Sequence, residues 1–159
     1  MIGKSTFRKP LSRGAIAALS LLALAGTAVA GAIEFKNALD DSPIDMSPIK
    51  GEVFTDAVKS FHETGKNPYN GNAEATAKGK EMYDENCSAC HNPDGSGHMG
   101  PSFLDDVVSS TRANTEVGMF EVIHSGSSGA MRSFSERGVT QDQILQIMSY
   151  IDQLKKTKK

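Results

Sequence analysis

The sequence Cys87-Ser88-Ala89-Cys90-His91 lies in the middle of the 159-residue chain and contains both of its cysteines. Two thiols one helical turn apart can each add to a vinyl group on the same edge of a haem. The adjacent imidazole then lies over the iron as its first axial ligand. We therefore predict that Cys87 and Cys90 bind one haem c through thioether bonds, and that His91 is the proximal iron ligand.

Other uses of two closely spaced cysteines fit the rest of the sequence less well. A thioredoxin-like redox pair needs a βαβ setting, whereas the sequence around the motif gives helix signals without strands. A zinc site needs a second pair of soft ligands, and the chain has no further cysteine. A plain structural disulfide is the third alternative to haem attachment.

The first thirty residues have the layout of a secretory signal peptide. Four basic residues occur there without any acidic residue: Lys4, Arg8, Lys9 and Arg13. An apolar run follows, and the small residues Ala28-Val29-Ala30 precede Gly31, as expected at a cleavage site. We predict that residues 1–30 are a signal peptide and that the remainder is exported. Retention as a membrane anchor is the alternative, because residues 15–33 contain no charge.

The exported part of the chain is acidic. Residues 31–159 contain 13 basic and 19 acidic residues, which gives a formal charge of −6. A nucleic-acid partner is excluded, because binding phosphates requires a basic face. The length allows one domain with an appendage and excludes a large multidomain enzyme.

Capping residues and apolar spacing predict one helix before the cysteine motif and another after it. Asn72 can cap a helix from Ala73 to about Asn86, which ends at the motif. Thr115 opens another helix that extends to about His124. The chain around the motif is therefore expected to be helix and loop.

The last predicted helix has the clearest signature. Thr140 and Gln143 form a capping box. Apolar residues then recur at helical spacing: Ile144, Ile147, Met148, Ile151 and Leu154. In the segment before the motif, a short helix is predicted from Thr55 to Thr64 and ends at Gly65.

The helix before the motif and the last helix are predicted to cross closely. Gly79 allows a close approach, and Tyr83 and Tyr150 are natural facing aromatics. This arrangement resembles the crossed terminal helices of class I c-type cytochromes over about residues 78–155. The resemblance implies an all-α fold with three to five helices around one covalently attached haem, in a cytochrome c domain at residues 73–159.

The same resemblance implies the second iron ligand. Met131 lies in the loop between the third and last helices, where class I cytochromes carry their distal methionine. His124 is the alternative, because it would give bis-histidine ligation at a lower potential. His62 and His98 are predicted to be exposed polar residues. The loop departs from the family form in two respects: it is less rich in methionine, and Arg132, rather than proline, follows Met131.

A Gly-Pro pair completes the predicted site. Gly100-Pro101 resembles the Gly-Pro pair of class I cytochromes, whose proline carbonyl accepts a hydrogen bond from the proximal imidazole. The resemblance therefore implies that the Pro101 carbonyl orients His91, a role that fixes the ring and its tautomer.

Residues 31–72 are predicted to be an N-terminal extension that wraps the haem domain. Their most specific string is Glu63-Thr64-Gly65-Lys66-Asn67-Pro68-Tyr69-Asn70. Together with Phe35-Lys36-Asn37, this string is similar to the extension of the cytochrome c-L family. That resemblance implies a periplasmic electron carrier rather than an enzyme. Its implied donor is a PQQ-dependent methanol dehydrogenase of methylotrophic bacteria, and its implied acceptor is a further cytochrome c or a terminal oxidase.

Two other functions stay open at this point. The first is an open-site haem protein, peroxidase-like or gas-binding, in which Met131 does not coordinate the iron. The second is a membrane-anchored cytochrome subunit of a respiratory complex, held by the N-terminal segment. A visible spectrum separates the first from an electron carrier, and membrane association separates the second.

Overall fold

The computed structural model describes residues 1, 3, 33–49, 51–105 and 111–158. Residues 31–159 form one compact unit and residues 1–30 form another. The predicted signal peptide, apart from Met1 and Gly3, lies outside the described residues. Within the described ranges, no helix combines the length and the apolar character needed to cross a bilayer.

The regular structure of the described residues is helical. It consists of α1 (Asp56–Thr64), α2 (Ala73–Asn86), α3 (Ser88–His91), a 3₁₀ helix (Arg112–Asn114), α4 (Glu116–Ser125) and α5 (Gln141–Thr157). Extended pairing in these residues is limited to two isolated bridges, Lys36–Pro43 and Gly126–Arg132. The predicted all-α fold is confirmed.

The four helices that the sequence predicts, α1, α2, α4 and α5, begin at or next to the residues that it indicates, whereas α3 and the 3₁₀ helix were not predicted. Asn72 and Thr115 cap α2 and α4, because each side-chain oxygen accepts a hydrogen bond of 3.0 Å from the backbone N–H three residues later. Thr140 and Gln143 form the reciprocal capping box of α5. Gly65 ends α1 with a φ of 67°, a left-handed conformation that favours glycine.

The closest packing in the fold is the crossing of α2 and α5. At Gly79 there is no room for a side chain, since a Cβ would overlap the backbone carbonyl of Gln146. The rings of Tyr83 and Tyr150 meet edge to face at the same crossing, with centroids 5.2 Å apart. The predicted close approach of these helices is confirmed.

The core joins the N-terminal segment to the helices. Six of its large side chains are fully buried: Phe61, Tyr83, Phe120, Ile144, Leu145 and Ile147. Each such side chain contributes roughly 1.5–3 kcal/mol on burial. Phe61 of α1 packs on Phe120 of α4 at 4.9 Å, and Phe35 packs on both rings. Residues before α2 therefore supply part of the core.

A buried carboxylate holds the start of this segment on α4. Glu121 is almost fully buried, accepts a hydrogen bond of 2.7 Å from Lys36 N and pairs with Arg112 Nη1 at 2.6 Å. The other side of the Arg112 guanidinium pairs with Asp41. Residues 33–49 are thus tied to α4 by charge-assisted bonds.

The N-terminus of α5 is held by side chains from the same segment. Asp142 Oδ1 accepts hydrogen bonds from Thr55 Oγ1 at 2.7 Å and from Tyr69 Oη at 2.6 Å. His62 Nε2 donates to Gln141 Oε1 at 2.7 Å and is partly buried. The prediction that His62 is exposed is therefore wrong, because a partner 79 positions away gives no local signal in the sequence.

Candidate haem site

The cysteine motif begins where α2 ends. Cys87 follows Asn86 and is buried, Cys90 is partly buried on α3, and the two sulfurs are not joined by a disulfide. Burial raises the pKa of the Cys87 thiol to about 12. Catalytic thiols of thioredoxin-like proteins have lowered pKa values instead, so this environment disfavours the redox-pair interpretation.

His91 ends α3 and is only 6% exposed. Its Nδ1 lies 2.9 Å from the carbonyl oxygen of Pro101. A carbonyl oxygen only accepts hydrogen bonds, so Nδ1 carries the proton, and Nε2 keeps the lone pair that a metal requires. The tautomer that can bind iron through Nε2 is therefore already fixed in the folded chain.

The imidazole of His91 is also fixed by packing. Phe103 stacks on it, with ring centroids 4.4 Å apart and an interplanar angle of 22°. Gly100 lies against it so closely that a Cβ there would be 2.7 Å from both ring nitrogens. The stack with Phe103 and the contact with Gly100 leave the ring little freedom to rotate.

Two backbone hydrogen bonds close the loop that carries Gly100 and Pro101. Gly97 N donates to His91 O at 3.0 Å, and Gly100 N donates to Cys90 O at 2.9 Å. The stacking residue Phe103 was not predicted from the sequence. A large apolar residue two positions after the Gly-Pro pair was the signal that could have suggested it.

Met131 lies in the loop between α4 and α5. Its side chain is partly buried against the core, and its backbone oxygen accepts a hydrogen bond of 2.9 Å from Ser127 N. The hydroxyls of Ser133 and Ser135 donate to His124 O at 2.8 and 3.0 Å, which ties the loop to the end of α4. Its role as the distal ligand stays a prediction.

His124 is buried in α4 and stacks on Phe120, with ring centroids 5.5 Å apart. Its Nδ1 has no hydrogen-bond partner among the described residues. Burial lowers the pKa of this imidazole, so the ring is neutral near pH 7. His98, by contrast, is exposed as predicted.

The chemistry of these side chains fits haem c. The thiols of Cys87 and Cys90 are one helical turn apart, and His91 offers Nε2 as a nitrogen ligand. The backbone of Gly100 lies directly against the imidazole of His91, at a distance that leaves no room for a side chain. Nitrogen and thioether ligands from histidine and methionine are those of electron-transfer haems.

Haem attached by thioether bonds to the cysteines of a Cys-x-x-Cys-His motif is the defining feature of a c-type cytochrome. A family model described as cytochrome c oxidase, cbb3-type, subunit III matches residues 74–151. The chain belongs to the cytochrome c-L family, and its cofactor is covalently bound haem c; both cysteines of the predicted attachment motif, Cys87 and Cys90, are present.

Three relatives support this membership. Cytochrome c-L of Methylorubrum extorquens is 32% identical over 123 residues, which are 77% of this chain and 62% of that protein. The crystal structure of cytochrome cL from the marine methylotrophic bacterium Methylophaga aminisulfidivorans has a TM-score of 0.71 and 32% identity. The alignment covers 75% of this chain and 79% of that one.

Cytochrome cL from Hyphomicrobium denitrificans gives a similar result. Its crystal structure has a TM-score of 0.69 and 32% identity, and the alignment covers 76% of this chain and 72% of that one. The chain therefore spans less than two thirds of the length of the curated Methylorubrum relative but more than two thirds of both crystallised chains.

Proposed function

We propose that this protein is a periplasmic carrier of single electrons. Its donor is a PQQ-dependent methanol dehydrogenase, and its acceptor is a further cytochrome c or a terminal oxidase. The observation that carries the proposal is the fixed imidazole of His91, whose Nδ1 lies 2.9 Å from Pro101 O. Membership of the cytochrome c-L family, with one relative from a methylotrophic bacterium, supports the choice of donor.

Electron exchange needs an iron site whose surroundings move little. Haem c, when bound, supplies an iron that alternates between the ferric and ferrous states. The protein contributes a proximal ligand that is oriented in advance by Pro101, Phe103 and Gly100. The buried position of His91 keeps water away from this ligand. No residue needs to break or form a bond to substrate.

Met131 is proposed as the distal ligand. A methionine thioether opposite a histidine gives a closed six-coordinate site and raises the reduction potential. The position of Met131 in the loop before α5 supports this role, as does the tether of that loop to His124 O through Ser133 and Ser135. A closed site favours electron transfer over peroxide or gas chemistry.

The division of the chain is proposed as follows. Residues 1–30 are a cleaved signal peptide, residues 31–72 are an extension that covers the haem domain, and residues 73–159 are the cytochrome c domain. The extension is supported by its side chains in the core, since Phe35 and Phe61 pack on Phe120 of α4. The extension therefore serves as a structural cover.

The acidic surface is proposed to steer the protein toward its donor. Residues 31–154 carry 9 basic and 19 acidic residues, because four lysines lie beyond Leu154. Steering of this kind raises association rates by about 10–1000 fold and fades with salt. The dehydrogenase would need a basic docking surface to attract this acidic protein.

Stopped-flow reduction of the ferric protein by methanol dehydrogenase and methanol tests the proposal. We expect rapid reduction that requires methanol and slows steeply between low and high salt. The matched control is a quinoprotein dehydrogenase of another substrate class, supplied with its own substrate. Equal reduction by both enzymes would contradict the assigned donor, and a rate that does not respond to salt would contradict the steering.

A further inference from the structure

Asn92, the residue directly after the proximal histidine, has backbone angles that side-chain-bearing residues rarely adopt. Its φ is 62° and its ψ is 153°. Among the described residues, Asp41 is the one other non-glycine residue with a positive φ. A conformation of this kind is energetically unfavourable and persists only where surrounding contacts hold it. Contacts of Asn92 must therefore offset this cost.

Hydrogen bonds hold Asn92 from both its side chain and its backbone. Its Nδ2 donates to Gly97 O at 2.7 Å and to Ser96 Oγ at 3.0 Å. Its backbone oxygen accepts a hydrogen bond of 2.8 Å from Tyr83 Oη. Tyr83 is fully buried where α2 crosses α5, with its ring against Tyr150. The loop after the motif is therefore anchored to the most closely packed part of the fold.

The loop that starts at Asn92 returns to the proximal imidazole. Gly97 N donates to His91 O, and Gly100 N donates to Cys90 O. The next residue, Pro101, presents its carbonyl oxygen to His91 Nδ1 at 2.9 Å. The position of the Pro101 carbonyl oxygen therefore depends on the backbone conformation of Asn92, the first residue of the loop.

The hydrogen bond from Nδ1 controls the electronic properties of the ligand. It pulls the ring toward imidazolate character and makes Nε2 more basic. A more basic ligand stabilises the ferric form and lowers the reduction potential, one of the means by which a protein tunes haem iron. A longer or bent bond to the carbonyl raises the potential.

We propose that Tyr83 and Asn92 are positioning residues for His91. They hold the start of the loop so that Pro101 O stays aimed at His91 Nδ1, and they thereby keep the reduction potential low. This inference rests on the proposed function as a haem electron carrier. It assigns a tuning role to two residues that are neither cysteine anchors nor iron ligands.

The substitution Tyr83→Phe tests the proposal, because it removes only the hydroxyl, which donates to Asn92 O at 2.8 Å and more weakly to His91 O at 3.5 Å. We expect the equilibrium between ferric and ferrous protein to shift roughly tenfold toward the ferrous form, about 59 mV for one electron. Tyr150→Phe is the matched control, since it removes a hydroxyl from the same aromatic cluster whose contact, Pro93 O, is 3.4 Å away. Equal potentials in wild type and Tyr83→Phe would overturn the proposal.

Two substitutions of Asn92 separate the backbone from the side chain. Asn92→Gly keeps the positive φ without strain but removes both side-chain donors, and we expect its potential to rise in the same direction. Asn92→Ala removes the donors and adds strain, so it should be less stable than Asn92→Gly at a similar potential. A loss of stability without any change of potential would mean that Asn92 is merely structural.

Hydrogen exchange at the amides of Gly97 and Gly100 supplies a second readout on the haem-loaded protein. We expect exchange in Tyr83→Phe to be roughly tenfold faster than in wild type, because the loop opens more often. Unchanged exchange would overturn the anchoring role of Tyr83.

Dye-mediated titration measures the reduction potential without any partner protein. Failure of methanol dehydrogenase to reduce the wild type therefore bears on the proposed function and leaves the positioning role to be judged by the potentials.

Discussion

The proximal segment and the distal loop of this cytochrome hold their candidate iron ligands in different ways. In the proximal segment, residues 87–105, the ring of His91 itself is bonded to Pro101 O and stacked on Phe103. In the distal loop, residues 126–139, the hydrogen bonds are made by the backbone of Met131 and by neighbouring serine hydroxyls. Changes in the proximal segment should therefore act on stability and potential, and changes in the distal loop on coordination.

The largest effect is expected from Met131→Ala, which breaks the distal side while leaving the proximal side intact. The oxidised variant should lose the weak far-red sulfur-to-iron band, and its reduced form should bind carbon monoxide rapidly. Visible spectroscopy measures both. Met99→Ala is the matched control, because Met99 lies in the proximal loop and is 74% exposed. Retention of the band in Met131→Ala would show that another residue is the ligand.

A glycine in each segment gives the next comparison. Gly100→Ala places a methyl group 2.7 Å from both nitrogens of His91, so the ring or the loop must move. We expect the free energy of unfolding to fall by about 3 kcal/mol, measured by urea denaturation. Gly129→Ala, in the distal loop, meets no atom within 4 Å and is strained only by its φ of 81°.

The control should therefore lose less stability. An alanine in the left-handed region costs about 1 kcal/mol, so Gly129→Ala should fall well short of Gly100→Ala. If the two substitutions destabilised the protein equally, the proximal ring would not be held as tightly as its contacts indicate.

The sequence predicted the parts of this fold that depend on local signals. A capping residue indicates the start of a helix because its side chain accepts a hydrogen bond from a backbone N–H only three residues away, as at Asn72, Thr115 and Thr140. The spacing of Cys87, Cys90 and His91 is likewise local. Gly79 was informative because a glycine within a helix has few purposes other than close packing.

The remaining contacts could not be predicted, because their partners lie far apart in the sequence. Lys36 N and Glu121 are 85 positions apart, and Arg112 gives no sign that it will pair with a buried carboxylate. Tyr83 was recognised as a packing residue, but its hydroxyl bond depends on the unusual φ of Asn92. Such a φ is set by the surrounding loop rather than by the residue type.

A smaller effect is expected from weakening the tie between the distal loop and α4, whose backbone hydrogen bonds from Phe134 N to Ile123 O and from Ser135 N to His124 O remain. The double substitution Ser133→Ala and Ser135→Ala removes both hydroxyl bonds to His124 O, at a cost of about 1 kcal/mol for each. Imidazole should then bind the ferric form faster, because the loop releases its methionine more often. Stopped-flow mixing with imidazole measures this rate.

Ser88→Ala is the matched control on the proximal side. Its hydroxyl also donates to a backbone oxygen, that of Asp84 at 2.7 Å, in a solvent-exposed hydrogen bond, and Ser88 itself is partly buried on α3. Imidazole binding should be unchanged in this variant. If imidazole bound equally faster in Ser88→Ala and in the double variant, the hydroxyls of Ser133 and Ser135 would not be what holds the distal loop in place.

The smallest effect concerns pH. Burial lowers the pKa of His124 below its ordinary value of 6.5, and His62 lowers it further while Glu52 and Asp45 oppose the shift. Because the unfolded chain then binds more protons, the stabilisation is complete above pH 6.5 and is lost as the pH falls toward the folded pKa. His124→Gln should therefore reduce the dependence of the free energy of unfolding on pH, measured by urea denaturation between pH 7 and about 5.5. If wild type and His124→Gln showed the same pH dependence, His124 would be excluded as its source.

The crossing of α2 and α5 also constrains when the molecule can mature. Thr76 and Ser149 share a hydrogen bond of 2.7 Å although they are 73 positions apart, and Thr55 and Asp142 are 87 positions apart. Such long-range pairings form late in folding, and none can form before the final helix has left the ribosome. Until then the cysteine motif is an accessible peptide, whereas in the folded chain Cys87 is buried and Cys90 is partly buried. We therefore expect the thiols to react with haem more readily before the C-terminal helix docks than afterwards.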